Sequence, residues 1–198
     1  HTRYPLVTGV QTCALPIFAP GNPGIAEISQ IHPLEINNNF EIVTLAKSLA
    51  IDLVVIGPEM PLVNGAADAL REAGFAVFGP SKEAAQLEGS KHFAKGVMRD
   101  AGVPTAKSFT CESRSEIERA LDEFGAPYVV KDDGLAAGKG VVVTKDREVA
   151  LTHALACKKV VIEEYLQGPE ISLFGISDGK NILAMQPAQD FKRAYDND

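Results

Sequence analysis

Residues 128–145 read YVVKDDGLAAGKGVVVTK. Two β-branched runs, Tyr128–Lys131 and Val141–Lys145, flank a loop carrying Gly134, Gly138 and Gly140 with Ala136 and Ala137. The pattern predicts two neighbouring strands whose connecting backbone can approach a ligand closely, since little side chain stands in the way. Backbone N–H groups in such a loop can cradle phosphate oxygens, with Lys131 and Lys139 to neutralise their charge. It is not a Walker loop, because GxxxxGK[ST] is absent and a strand rather than a helix follows. The competing reading is a flexible hairpin loop that binds nothing.

Outward toward the carboxyl end, a helix is predicted from Arg147 to about Ala156 and a strand over Val160–Glu164. That strand runs into Glu163-Glu164-Tyr165-Leu166 and then Gly168-Pro169-Glu170. An apolar strand ending in acidic residues can form a hinge that pairs with a purine edge and takes ribose hydroxyls. Acidic residues at a strand end are equally the mark of a solvated terminus. Ile171–Ser177 and Asn181–Gln186 flank Asp178-Gly179, a strong hairpin signal. On the amino side, Lys91–Asp100 reads as a helix. Ser113 with Glu116 makes a capping box for a second helix bearing Ile117, Ala120, Leu121 and Phe124, ended by Gly125. Two helices over mostly antiparallel strands predict an α+β domain.

Further upstream the rhythm changes. Ile42, Leu45, Ala46 and Leu49 have helical spacing, Ile51–Ile56 reads as a buried strand, and Val63, Ala66, Ala67 and Leu70 have helical spacing again, with Gly74 as its cap. Phe75–Phe78 is another strand. Strand, helix, strand predicts a parallel α/β sheet, whose ligands sit at the carboxyl ends of its strands. The loops Gly57-Pro58-Glu59 and Gly79-Pro80-Ser81 fall there. The fold class is therefore α/β: a parallel α/β N-terminal domain followed by an α+β domain, with the boundary between Ser81 and Lys91. Residues 1–17, HTRYPLVTGVQTCALPI, show no period, and Val7–Ile17 resembles the conceptual translation of a sequencing adapter. They are expected to be non-native and are set apart from the fold.

A net charge of −7 argues against a nucleic-acid surface, and no apolar run is long enough to span a bilayer. Three cysteines, Cys13, Cys111 and Cys157, lack metal-ligand spacing and suggest reduced thiols in a cytoplasmic protein. Small-molecule substrates and a monomeric state are the expectation.

Taken together, Gly57-Pro58-Glu59-Met60-Pro61-Leu62-Val63, Phe78-Gly79-Pro80, Ala84-Ala85-Gln86-Leu87-Glu88-Gly89-Ser90-Lys91, Pro104-Thr105-Ala106, DGLAAGKGV (133–141), VIEEYLQGPE (161–170) and Gln189-Asp190-Phe191-Lys192-Arg193 resemble the phosphoribosylamine–glycine ligases of the ATP-grasp superfamily. The resemblance runs from about Phe18 to Asp198. LEGSK, DGLAAGKG and QDxKR in this order are its most specific part. It implies ATP-dependent joining of glycine to 5-phosphoribosylamine in purine biosynthesis, giving glycinamide ribonucleotide, ADP and phosphate through a glycyl phosphate. It implies that Lys91 and Lys131 contact ATP phosphates, and that the loop with Gly134, Gly138, Lys139 and Gly140 closes over them. Glu163 and Glu164 would face the adenine amino group, the Leu166 N–H the ring, with Tyr165 beside it, and Glu170 the ribose. Pro58, Glu59, Asp190, Lys192 and Arg193 would lie toward the substrate. On this pattern residues 18–90 form an incomplete substrate-binding domain and residues 91–198 a truncated ATP-grasp domain with a lid at about 107–168.

No residue is assigned a catalytic or metal-ligating role. The ligands for magnesium or manganese lie, in the family, in an EFN-x-RFGDPE-like segment beyond the last residue here, so the chain is expected to be an inactive fragment. Asp132 departs from the family, which carries a small residue there; alternation along the strand should turn it away from Lys131. The alternatives are another ATP-grasp carboxylate–amine ligase, in which GPExPLV and QDxKR are coincidences, or a non-catalytic nucleotide-binding module.

Overall fold

The computed structural model describes residues 16–135 and 140–189. In the N-terminal part, β1 (Ile17–Phe18) pairs in parallel with β2 (Gln30–Ile31) around a short helix α1 (Pro23–Ala26) that Asn22 caps. Of the stretch set apart in the sequence, Ile17 pairs with Gln30, and residues 1–15 lie outside the described residues. Helix α2 (Asn39–Ser48) begins where the Asn38 side chain accepts the first free N–H groups.

Two parallel strands, β3 (Leu53–Val55) and β4 (Ala76–Phe78), carry the expected α/β crossover. The helix between them is two helices, α3 (Glu59–Val63) and α4 (Ala66–Glu72). Gly65 lies between, at φ +89°, and takes the chain out of the helical region. Pro58 and Glu59, expected in a loop, are the N-cap and first residue of α3. Ala66, Ala67 and Leu70 are fully buried, and Leu62, Ala67 and Ala85 form a small core. Gly74, at φ +92°, follows α4 as its left-handed cap.

Helices α5 (Gln86–Gly89) and α6 (Lys91–Asp100) lead into a four-stranded antiparallel sheet. Its strands are β5 (Ser108–Cys111), β6 (Tyr128–Asp132), β7 (Val141–Thr144) and β8 (Val160–Glu163), in the order β5-β8-β6-β7. Helix α7 (Arg114–Phe124) follows β5 with the expected capping box at Ser113 and Glu116, and α8 (Arg147–Ala156) follows β7 under an Asp146 cap. The two-residue period of the strands sorts side chains to opposite faces. Cys111, Val130, Val160 and Ile162 pack against Ile117, Leu121, Leu151 and Ala154 of the two helices as the main core. Thr110, Lys131, Val161 and Glu163 take the other face by register.

The strand expected over Ile171–Ser177 forms in two pieces, because each pairs with a different partner. Strand β9 (Ile171–Ser172) runs antiparallel to β12 (Ala188–Gln189), and β10 (Gly175–Ser177) runs antiparallel to β11 (Ile182–Ala184) through the predicted Asp178-Gly179 turn. The Asp178 carboxylate accepts the Asn181 N–H at 2.7 Å and the Lys180 N–H at 2.9 Å.

Leu121 is fully buried in the main core. Leu121→Ala should therefore cost about 3 kcal/mol in urea denaturation, from lost transfer energy and a residual cavity; a loss under about 1 kcal/mol would contradict this packing. The N–H groups of Asn181 and Lys180 hold Asp178 down from its ordinary 3.8 to about 2. A depressed carboxylate stabilises above its unfolded value, so the turn's contribution is complete above about pH 4 and is lost as pH falls toward 2. Melting temperatures of wild type and Asp178→Asn should differ at neutral pH and converge across that window.

Candidate active site

Helix α6 starts at the Ser90 cap and places Lys91 and Lys95 one turn apart on the same side. Both reach toward the sheet face that α7 and α8 leave uncovered. The Lys91 ammonium donates to the Gly134 carbonyl at 3.0 Å. The Lys95 ammonium donates to the Ala106 carbonyl at 2.7 Å and the Thr105 hydroxyl at 2.8 Å, and lies 3.3 Å from Glu163 Oε1. Lys131, on β6, donates to Glu163 Oε2 at 2.8 Å. The Glu163 side chain is only 7% exposed at the end of the inner strand β8, and an ammonium group lies beside each of its oxygens.

These groups line an open pocket of about 290 Å³ with Leu87, Ala94 and Met98 on its apolar side. Lys91, Lys95 and Lys131 outnumber Glu88 and Glu163 along its wall. An excess of cations beside an apolar wall suits a ligand with a flat ring and a polyphosphate tail.

A second set of bonds fixes the base of the glycine-rich loop. The Asp133 carboxylate, 5% exposed, accepts from the His92 N–H at 2.9 Å and the Ser90 hydroxyl at 3.1 Å, with Lys159 3.7 Å away. It closes on the amino end of α6, where an anion is favoured. Asp132 points the other way, as alternation predicts. It lies on the α8 side, where burial first and the Asp132 carboxylate second push the Cys157 thiol above its ordinary value. Burial does the same to Cys111. Neither thiol is prepared as a nucleophile.

The pocket thus collects Lys91, Lys131 and Glu163 of the residues singled out in the sequence. Gly134 stands at its edge through its carbonyl, and Gly140 is buried at the far end of the loop, accepting from the Asp132 N–H at 2.7 Å. Glu164 goes elsewhere: its carboxylate accepts from the Lys107 N–H at 2.8 Å, which ties the end of β8 to the segment before β5. Tyr165, Leu166 and Glu170 follow on the exposed stretch after β8, and Pro58 and Glu59 sit at the start of α3, away from the pocket lining. Gly138, Lys139, Asp190, Lys192 and Arg193 lie outside the described residues. Lys95, Ser90 and Asp133 are site residues that the sequence does not single out. Ser90 and Asp133 lie within LEGSK and DGLAAGKG without a role assigned to them, and the signal for Lys95 is its spacing from Lys91.

Among the described residues, no group of three or more His, Cys, Asp or Glu is placed to hold a metal ion, and no helix is long and apolar enough to cross a membrane.

A parallel α/β unit followed by this lysine-lined antiparallel sheet is the architecture of the ATP-grasp ligases. It superposes on N5-carboxyaminoimidazole ribonucleotide synthetase from Thermus thermophilus with a TM-score of 0.74, over 96% of this chain and 51% of that one, at 18% identity, a likeness of fold alone. Phosphoribosylamine–glycine ligase from Thermotoga maritima gives a TM-score of 0.71 at 30% identity, over 89% of this chain and 44% of that one. The chain belongs to the phosphoribosylglycinamide synthetase family: the profile of its N domain matches residues 7–88 and that of its ATP-grasp (A) domain residues 89–198.

The N-domain match begins inside the stretch set apart as non-native. The phosphoribosylamine–glycine ligase of Streptomyces coelicolor is 62% identical over 180 residues, covering 91% of this chain and 43% of that protein. That of Mycobacterium leprae is 50% identical over 206 aligned residues, covering 100% of this chain and 47% of that protein. The chain therefore spans less than half the length of the curated relatives it matches.

Because Asp132 faces α8, Asp132→Ala should leave nucleotide affinity unchanged in a titration. A large gain in affinity would place the carboxylate beside the ligand instead.

Proposed function

We propose that this chain serves the ATP-dependent ligation of glycine to 5-phosphoribosylamine, giving glycinamide ribonucleotide, ADP and phosphate in purine biosynthesis. The observation that carries this reading is the pocket itself: Lys91 and Lys131 beside the buried Glu163, in a chain whose family is shown across both of its matched domains.

Lys91 and Lys131 exchange their present oxygen partners for phosphate oxygens, and the loop from Gly134 through Gly138 and Lys139 to Gly140 closes over the tail. Glu163 accepts the 6-amino group of the adenine, the Leu166 N–H meets the ring edge with Tyr165 against it, and Glu170 takes the ribose. Glu164 works one step removed, by fixing the hinge backbone through Lys107. Pro58, Glu59, Asp190, Lys192 and Arg193 face glycine and phosphoribosylamine.

The glycine carboxylate takes the γ-phosphoryl group of ATP. The amine of phosphoribosylamine then attacks the acyl phosphate, phosphate leaves, and the amine proton passes to solvent. No side chain becomes covalently attached. The protein's contribution is positioning and stabilisation of phosphoryl charge by fixed cations. Magnesium or manganese accompanies the nucleotide in this reading, and no described residue is assigned to it. A cytoplasmic monomer acting on small molecules, with no nucleic-acid or membrane partner, completes the proposal; it fits the net charge of −7.

In the protein that carries this chain, ADP release should require glycine and phosphoribosylamine together and should not occur with other amino acids in place of glycine. ADP release that is indifferent to phosphoribosylamine would overturn the assignment in favour of a different ATP-grasp ligase.

A further inference from the structure

The two oxygens of Glu163 are held by lysines in unequal situations. Lys131 Nζ sits on Oε2 with its side chain 29% exposed at the pocket. Lys95 Nζ sits on Oε1 with its side chain 15% exposed, and its other donors are taken by the Thr105 hydroxyl and the Ala106 carbonyl. The Lys95 ammonium thus uses two of its three N–H donors on neutral oxygens, and its charge is held by the Glu163 carboxylate. It is pinned to three parts of the chain at once: α6, the segment before β5, and β8. Lys131 can swing to a phosphate oxygen without leaving a buried cation unpartnered; Lys95 cannot.

The consequence follows from acceptor geometry. When Lys131 turns to phosphate, Oε2 of Glu163 becomes open toward the pocket, while Oε1 stays fixed by Lys95. An ionised carboxylate only accepts hydrogen bonds. A 6-amino purine offers it an N–H. A 6-oxo purine offers it a carbonyl oxygen and is repelled. The discrimination is only as sharp as the carboxylate is immobile.

We infer that Lys95 is a positioning residue that clamps Glu163 and thereby sets the preference of this site for 6-amino over 6-oxo purine nucleotides. The inference rests on the reading of the pocket as a nucleotide site.

The test is the ratio of dissociation constants for ITP and ATP, measured in the protein that carries this chain, for wild type, Lys95→Met, Lys95→Arg and Glu163→Gln. Lys95→Met should lower the ratio by about tenfold or more, as expected when a reacting or recognition group loses its fixed placement. It should also raise KM for ATP more than it lowers kcat. Lys95→Arg, which keeps the charge, should retain more of the preference than Lys95→Met. The double variant of Lys95→Met with Glu163→Gln should be no less discriminating than Glu163→Gln alone, since both act through one carboxylate. If Lys95→Met is too unstable to assay, Lys95→Gln, which keeps donors for Thr105 and Ala106 but not the charge, carries the same expectation. A Lys95 variant that weakens ATP and ITP equally, or that lowers only the melting temperature, overturns the inference while Glu163→Gln still shifts the ratio. An unchanged ratio in Glu163→Gln overturns the nucleotide reading of Glu163 and this inference with it.

Discussion

A carboxylate buried at the end of an inner strand organises this molecule. Val160, Val161 and Ile162 are fully buried, and β8 lies between β5 and β6. The position of Glu163 is therefore dictated by core packing rather than by its own preferences. Taking a charge out of water costs on the order of several kcal/mol, and removing one partner of a buried pair leaves that cost standing. Two cations are brought to it, one from β6 and one from α6. The helix and the sheet are joined where chemistry needs a rigid acceptor. With Lys91 added, the pocket wall carries a surplus of positive charge for a polyanion.

Much of this fold is legible in the amino-acid sequence. The capping box at Ser113 and Glu116 announces α7, because its two side chains satisfy backbone donors that are adjacent in sequence. The β6–β7 pair and α8 follow from period and from the residues that interrupt it. Local rules fail where the deciding partner is distant or is a single dihedral. The apolar spacing through Val63–Leu70 suits one helix as well as two, and only the left-handed Gly65 separates them. The stretch after Ile171 has one hydrophobic pattern but two strand partners.

The site shows the same division. Lys91, Lys131 and Glu163 can be named from sequence because they belong to motifs. Asp133 lies in a motif too, but its role does not show there, since the groups it binds at the start of α6 lie 41 and 43 residues away. Glu163 and Glu164 look equivalent in sequence. Alternation at the strand end sends one into the pocket and the other to the Lys107 backbone. The statistical expectation that acidic residues at a strand end are solvated holds for neither carboxylate as a description of its bonding. Lys95 is invisible in the sequence for a further reason: its significance lies in partners on other segments, Thr105, Ala106 and Glu163.

Because β8 is hydrogen-bonded on both edges, its backbone amides are tied to one neighbouring strand or the other. Their hydrogen exchange then reports separation of β8 from a neighbouring strand rather than fraying of a sheet edge. A ligand gripped at the last residue of such a strand shifts that opening equilibrium by mass action. Occupancy of the pocket is thereby written into an inner strand of the sheet, one strand removed from the glycine-rich loop that would be watched first.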